Sequence, residues 1–212
     1  MNDNNPTTRH QILATLRKKG PKKTHELAEV LGITDMGVRR HLNTLERDRL
    51  VRAKTVRQSV GRPTYVYSLT EHAESAFPKN YADISLDVLN DIYDLQGPEM
   101  IDELFLRRAK RLESKYKERI GQRTSLEELV DELTRIQEER GYMAEWSEDE
   151  SGRQFWITEH NCPIHAVAHR YTEACSSELA LFRAVLDAEV EQLECKAKGG
   201  ERCVYVVRPK EN

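Results

Sequence analysis

The chain has 212 residues, of which 38% are hydrophobic and 33% are charged, with 33 Lys and Arg against 36 Asp and Glu. This length predicts one large domain or two small ones. The mean hydropathy is −0.72, and no apolar run approaches the roughly 18 residues of a membrane span. The polar start MNDNNPTTRH lacks the pattern of a secretory signal. We therefore expect a cytoplasmic protein with no membrane partner.

Charge is divided unevenly along the chain. Residues 1–80 carry 15 Lys and Arg against 8 Asp and Glu, whereas residues 81–212 carry 18 against 28. A basic first third followed by an acidic remainder is typical of a polyanion-binding module joined to a second function. The alternative is a chance clustering of charges on solvated faces.

The first 80 residues have the pattern of three helices followed by two strands. Apolar residues recur at helical spacing in residues 7–19, and Gly20 ends that helix. Thr24 and Thr34 are predicted to cap a second and a third helix, with Gly32 in the turn between them. Strands over residues 55–59 and 64–69 are predicted to flank the turn Val60-Gly61-Arg62-Pro63. This order is that of a helix-turn-helix with a two-stranded wing.

The predicted third helix fits the major groove of DNA. Arginine and asparagine make paired hydrogen bonds with guanine and adenine edges, and basic side chains around such a helix bind phosphates. The predicted base-reading residues are Met36, Arg39, Arg40 and Asn43. Arg62 at the wing tip is predicted to enter a minor groove or hold a phosphate, and Lys22, Lys23 and Arg57 to contact phosphates. For any one of these residues, the alternative is a solvated side chain.

The stretch GITDMGVRRHLNTLERDRLV, followed by VGRPTYVYSLT, resembles the winged-helix domain of ArsR/DeoR-like bacterial regulators. The resemblance covers about the first 75 residues. It implies a DNA-binding fold and leaves the operator and the signal open.

The remaining chain is predicted to hold a helical connector over residues 81–122 and an α+β domain over residues 123–212. An apolar face extends over residues 84–120 and is interrupted at Gly97-Pro98, which suits a helix start. A capping box is predicted at Thr124–Glu127, and two hairpins follow. Since helix-turn-helix proteins usually read two half-sites as dimers, the connector is the expected homodimer surface; the alternative is that it only packs on the C-terminal core. The fold class is α+β, with a winged helix-turn-helix domain over residues 1–80, the connector and a small C-terminal sensor domain.

All four cysteines lie in one window of 42 residues, at Cys162, Cys175, Cys195 and Cys203. Their intervals of 12, 19 and 7 residues contain no paired C-x-x-C, which argues against zinc ribbons and fingers. Thiolates are soft ligands that suit zinc or an iron–sulfur cluster. A mixed site with the nearby His160, His165 and His169 stays open, as does simple core packing of the cysteines.

The window HNCPIHAVAHRYTEACSSELALFRAVLDAEVEQLECKAKGGERCVYVV resembles the SufR-type regulators, which are dimeric repressors that carry a [4Fe–4S] cluster and control iron–sulfur assembly operons. The resemblance implies Cys162, Cys175 and Cys203 as cluster ligands. It leaves Cys195 as a fourth ligand, or as a bystander beside a non-cysteine ligand such as a carboxylate or a histidine. The closing ECKAKGGERCVYVV also resembles the last hairpin of vinyl-reductase-like domains that bind small molecules.

These patterns predict a homodimeric repressor that binds a palindromic double-stranded operator and is controlled by an iron–sulfur cluster. One alternative keeps the DNA-binding domain but replaces the cluster by structural zinc or a small-molecule effector. A second alternative is an enzyme in which Cys162 is paired with His165 or His169. Because an orienting third residue and an oxyanion loop are not evident, we expect a protein that is not an enzyme.

Overall fold

The computed structural model describes residues 7–57, 63–150 and 152–210. The chain divides into two compact units, residues 1–79 and 80–212. Each unit combines helices with a sheet around its own hydrophobic core, which confirms the predicted α+β class. Within the described ranges, no helix is both long and apolar enough to span a bilayer.

The first unit contains three helices and a small antiparallel sheet. The helices are α1 (Thr8–Lys19), α2 (Thr24–Leu31) and α3 (Asp35–Arg47); the strands are β1 (Lys22–Lys23), β2 (Val51–Val56) and β3 (Thr64–Leu69), and a 3-10 turn follows at Glu71–Ala76. The strands lie in the order β1-β3-β2. This arrangement is the predicted helix-turn-helix followed by a β-hairpin. The predicted wing turn, apart from Pro63, lies outside the described residues.

Side-chain caps fix the starts of α1 and α3. The Thr7 hydroxyl accepts a hydrogen bond from the His10 N–H at 3.4 Å, and the Thr34 hydroxyl accepts one from the Gly37 N–H at 3.2 Å. Each bond satisfies one of the backbone donors that a helix start leaves free. The predicted cap at Thr34 is therefore confirmed.

The predicted cap at Thr24 is wrong. The helix α2 begins at Thr24, whose side chain is buried, and Lys23 is the N-cap residue. The Lys23 N–H donates a hydrogen bond of 2.6 Å to the Glu26 carboxylate. Strand β1 was not predicted, because two residues are too few to show a periodic pattern.

The second unit begins with two consecutive helices that pack into its core. These are α4 (Tyr81–Gln96) and α5 (Pro98–Ile120), followed along the chain by α6 (Leu126–Glu139), α7 (His165–Arg170) and α8 (Glu173–Leu186). The predicted break at Gly97-Pro98 is confirmed, with Pro98 in the first helical position. Ile101 and Phe105 of α5 lie in the same core as α8. The segment predicted as a connector thus belongs to the same compact unit as residues 123–212.

A single four-stranded antiparallel sheet covers this core. Its strands are β4 (Ala144–Glu148), β5 (Phe155–Glu159), β6 (Glu189–Glu194) and β7 (Cys203–Arg208), in the order β4-β5-β7-β6. The two predicted hairpins therefore join through β5 and β7. The register of these strands places Glu159 directly opposite Cys203.

One predicted boundary in this unit is corrected. The capping box lies at Ser125 and Glu128 rather than at Thr124–Glu127, because the Glu128 N–H donates to the Ser125 hydroxyl at 3.2 Å and the Ser125 N–H donates to the Glu128 carboxylate at 3.4 Å. Helix α8 begins at Glu173. Cys175 consequently lies inside the first turn of α8.

Candidate nucleic-acid interface and cysteine cluster

Helix α3 has one buried face and one exposed polar face. Val38, Leu42 and Leu45 are fully buried in the core of the first unit. The predicted base-reading residues Met36, Arg39, Arg40 and Asn43 are all exposed, with Met36 exposed to 76%. Because the opposite face of the helix is buried, these four side chains are exposed to solvent. Contact with base edges in a DNA groove requires this exposure.

A groove of about 580 Å³ adjoins α3 and was not predicted from the sequence. Arg39 lines it together with His25 at the start of α2 and Tyr65 of β3. Both His25 and Tyr65 are exposed. Only the packing of α2, α3 and the hairpin brings these residues together, so no local motif marks them.

The predicted phosphate contacts occupy the edges of this unit. Lys22 and Lys23 form β1 and are half-buried, while Arg57 is exposed just after β2. Arg62 lies outside the described residues. The positions of the three described residues are compatible with phosphate contacts, and their role stays a prediction.

The second unit brings its four cysteines together from four separate places. Cys162 lies in the loop between β5 and α7, Cys175 in the first turn of α8, Cys195 directly after β6, and Cys203 at the start of β7. All four are free thiols; Cys162 is half-buried and the other three are buried. The site is thus assembled by tertiary folding, as the intervals between the cysteines indicated.

Two contacts define the centre of this cysteine cluster. The Cys195 and Cys175 sulfur atoms lie 3.8 Å apart. The Lys196 N–H donates a hydrogen bond to the Cys203 sulfur at 3.4 Å. A backbone N–H directed at sulfur stabilises the thiolate form that a metal requires.

Burial raises the pKa values of three of the thiols. The pKa of Cys203 is raised to about 12, because burial and the charges of Glu159, Cys195 and Cys162 outweigh the lowering effect of the Lys196 N–H. Burial is also the main cause of the raised pKa values of Cys175 and Cys162. These mutual effects show that the four thiols and a carboxyl group share one electrostatic environment.

A buried polar network lies beside the thiols. The Tyr116 hydroxyl donates to Gln137 Oε1 at 3.1 Å, and Gln137 Nε2 donates to Glu159 Oε1 at 2.7 Å. Glu159 is only 1% exposed. Across the described residues, its Oε2 is the one buried side-chain nitrogen or oxygen without a hydrogen-bond partner. Glu178 also lies near the thiols, but its carboxylate accepts a hydrogen bond from the Tyr142 hydroxyl at 2.8 Å.

The nearby histidines make other contacts. His160 Nε2 lies 2.8 Å from a Glu145 carboxylate oxygen, and His169 Nδ1 lies 3.1 Å from the Ala197 carbonyl oxygen. The His165 ring stacks on that of His169 with centroids 5.7 Å apart. All three side chains are exposed, so the donors gathered in the interior are sulfur atoms and carboxylates.

The donor chemistry of the cysteine cluster fits a thiophilic metal or an iron–sulfur cluster. Buried thiols grouped with acidic side chains concentrate negative charge once they ionise, and a bound cation offsets that charge. In the part of the chain that the structure describes, no three His, Cys, Asp or Glu donors already stand in metal-binding arrangement. Loading would therefore require side-chain movement at the cluster.

Residues 6–53 match the family model described as bacterial regulatory protein, arsR family. The N-terminal segment is an ArsR-type helix-turn-helix domain. The chain therefore carries the DNA-binding domain of a transcriptional regulator, as predicted. The match ends before the cysteines, and no curated protein matches the chain.

Several solved structures show weak structural similarity to this chain. The regulator Tm0710 from Thermotoga maritima is 19% identical, covering 45% of this chain and 78% of that one, with a TM-score of 0.28. PadR of Bacillus subtilis in complex with operator DNA is 14% identical, covering 85% and 98%, with a TM-score of 0.31. A trafficking protein particle complex subunit 3 from Naegleria fowleri, covalently bound to palmitic acid, is 12% identical, covering 62% and 91%, with a TM-score of 0.40. At these scores the likenesses support no functional argument.

Proposed function

We propose that the chain is a cytoplasmic homodimeric repressor whose affinity for a palindromic double-stranded operator depends on a [4Fe–4S] cluster in its second unit. Its target genes serve iron–sulfur assembly or related iron and redox functions. The observation that carries the proposal is the grouping of four cysteines from separate elements in the core of the second unit, with the Cys175 and Cys195 sulfur atoms 3.8 Å apart. That site lies on the same chain as an ArsR-type DNA-binding domain.

Cys162, Cys175 and Cys203 are the proposed cluster ligands, and Cys195 is the fourth thiol at the site. Thiolates in a buried, hydrogen-bonded setting are the usual ligands of iron–sulfur clusters. When bound, the cluster would link the structural elements that carry these cysteines. Oxygen, iron shortage or nitric oxide would destroy the cluster and so break these links.

The chain's own residues explain how loading changes the second unit. Cys162 lies in a loop, whereas Cys203 belongs to the central strand β7 and Cys175 to helix α8. Ligation would therefore fix the loop to the sheet and to α8. Couplings between an effector site and a second site are typically about 1–3 kcal/mol, which is enough to change operator occupancy substantially.

Helix α4 supplies the proposed homodimer surface. Ile84, Val88 and Leu95 are 60%, 52% and 82% exposed, and their spacing of 4 and 7 residues places them on one face. The opposite face packs on the core, with Leu89 partly buried and Asn90 accepting a hydrogen bond from the Tyr171 hydroxyl at 2.7 Å. Since half-site recognition usually requires a dimer, we assign the exposed stripe to a second copy of this chain.

Structural zinc is the second candidate, and one distance favours it. Zinc–sulfur bonds of about 2.3 Å in a tetrahedron place two thiolates about 3.8 Å apart. The sulfur atoms of Cys175 and Cys195 have this separation. In this alternative both thiols bind one ion, and zinc stabilises the fold without responding to oxygen.

Anaerobic purification followed by iron, sulfide and zinc analysis and a visible spectrum of the same sample distinguishes these candidates. The proposal predicts a brown protein with a broad sulfur-to-iron charge-transfer band and near-stoichiometric iron and sulfide. A colourless protein with one zinc per chain would replace the cluster by structural zinc. A metal-free protein that resists reconstitution with ferrous iron and sulfide would overturn both.

A further inference from the structure

We infer that Glu159 supplies the fourth ligand of the cluster through its Oε2 atom, in place of Cys195. This inference rests on the proposed function, because it assigns a residue to the same site. It follows from the spacing of the thiols, from the position of Glu159 on the sheet and from the hydrogen bonds of the competing carboxylate.

The spacing of the thiols leaves one position of a cluster open. Each iron of a [4Fe–4S] cluster takes one protein ligand, so a full set needs four donors that are directed at four different irons. The Cys175 and Cys195 sulfur atoms lie 3.8 Å apart and are in mutual contact. At this separation the two thiolates serve one iron position, so a donor from another direction completes the set.

Glu159 approaches the site from such a direction. It ends β5 and lies directly opposite Cys203 on β7. Side chains of directly opposed residues point to the same face of a sheet, with Cβ atoms about 4.5–5.5 Å apart. Both residues are buried, so Glu159 shares the buried face of the sheet with Cys203, one of the three proposed cysteine ligands.

The hydrogen bonds of Glu159 leave one oxygen for a metal. Gln137 holds Oε1 at 2.7 Å and so orients the carboxylate, while the buried Oε2 has no partner among the described residues. A buried polar atom without a partner is costly, and an ion absent from the coordinates is a recognised reason for one. Iron accepts carboxylate ligands, so the donor chemistry fits.

Glu178 is the competing carboxylate, and its contacts argue against it. It lies on α8 near Cys175, but its carboxylate accepts the Tyr142 hydroxyl at 2.8 Å. Among the described residues, only Glu159 has a buried carboxylate oxygen without a hydrogen-bond partner, so Glu178 lacks the feature that points to a metal. This difference makes Glu178 a matched control for Glu159.

The test uses the full-length chain, reconstituted anaerobically with ferrous iron and sulfide. Glu159→Gln, Cys195→Ser and the control Glu178→Gln are compared with the wild type. The readouts are iron and sulfide content, the electron paramagnetic resonance spectrum of the reduced cluster, and the rate of iron loss to a chelator. Melting of each metal-free protein reports on folding alone.

The inference predicts that Glu159→Gln loses iron at least about tenfold faster than the wild type and has an altered resonance spectrum, as expected when a ligand is lost. Cys195→Ser and Glu178→Gln should keep the wild-type spectrum. Metal-free Glu159→Gln should melt no lower than the wild type, because the neutral amide preserves the shape of the side chain. If Glu159→Gln does not fold, Glu159→Asp, which keeps a shorter carboxylate, should show an intermediate rate of iron loss.

Two results would overturn the inference in distinguishable ways. A wild-type spectrum in Glu159→Gln, together with cluster loss in Cys195→Ser, would assign the fourth position to Cys195 and leave the proposed function intact. A wild-type chain that takes up no iron and sulfide under these conditions would contradict both the inference about Glu159 and the proposed function.

Discussion

The sulfur atoms of Cys175 and Cys195 lie 3.8 Å apart, although the two residues are 20 positions apart in the sequence. Cys175 is held by the first turn of α8, and Cys195 by the end of β6. The packing of α8 on the sheet maintains this proximity, with the Phe182 and Tyr205 ring centroids 4.9 Å apart. The cysteine cluster is therefore a property of the folded second unit.

Replacing Cys203 by serine should abolish stable cluster binding. Serine keeps the size of the side chain but removes the soft donor that receives the Lys196 N–H. We expect iron and sulfide content to fall to background after anaerobic reconstitution, while the circular dichroism spectrum stays that of the wild type. Full cluster content in Cys203→Ser would remove this residue from the ligand set.

Replacing Arg39 by alanine should weaken operator binding by about 1–3 kcal/mol, the usual effect of losing a base-reading arginine. Arg39 is exposed on α3 and also lines the groove beside His25. Titration of labelled operator at several salt concentrations measures the effect. The control is Lys18→Ala on α1, which removes one equally exposed positive charge away from α3. Equal losses of operator affinity in Arg39→Ala and Lys18→Ala would show that Arg39 contributes only its positive charge and does not read a base.

The apolar stripe of α4 makes a prediction about the oligomeric state. Replacing Val88 by aspartate should convert the dimer to a monomer, because a charge would be buried at the centre of the proposed interface. Light scattering after size-exclusion chromatography measures the mass. Asp94→Ala on the same helix is the control and should leave the dimer unchanged. A monomeric wild type, or a dimer that survives Val88→Asp, would contradict the assignment of this face.

Most elements of the fold could be predicted because their signals are local. Thr34 caps α3 and Pro98 opens α5, and each acts through the backbone of its own helix. One prediction was wrong where neighbouring residues offered similar chemistry. Thr124 and Ser125 both precede glutamates at suitable positions, and only Ser125 makes the cap.

The cysteines of the candidate site were predicted by position, whereas a carboxylate or histidine ligand was predicted only as a type of residue. Their clustering in the sequence is visible, whereas the 3.8 Å contact and the position of Glu159 depend on long-range packing. One local signal could have found Glu159: it continues the alternation of Phe155 and Ile157, which are buried on β5. A carboxylate at an inward position of a strand is rare without a specific partner.

The capping box of α6 makes a prediction about stability. Ser125→Ala removes the acceptor of the Glu128 N–H and should lower the free energy of unfolding by about 1 kcal/mol. Denaturant unfolding of the metal-free chain measures the change. Thr124→Ala should have little effect, and a larger loss in Thr124→Ala would restore the cap that was first predicted.

The turn between β6 and β7 should affect how firmly the cluster is held. The Gly200 N–H donates to the Cys195 carbonyl at 3.0 Å, and a Cβ at Gly200 would lie 2.7 Å from the Glu194 side chain and 3.0 Å from that carbonyl oxygen. Gly200→Ala should therefore displace the turn next to Cys203 and speed iron loss to a chelator. Lys198→Ala in the same turn is the control. Equal rates of iron loss in Gly200→Ala and Lys198→Ala would show that the shape of the turn does not affect cluster binding.

In the proposed function, the state of the cysteine cluster controls DNA binding. The most direct test measures operator affinity anaerobically on one preparation, before and after the cluster is removed by a chelator and then rebuilt with iron and sulfide. We expect operator affinity to change by about 5–150-fold when the cluster is removed, which corresponds to a coupling of about 1–3 kcal/mol, and to return when the cluster is rebuilt. The same affinity in all three states would contradict it.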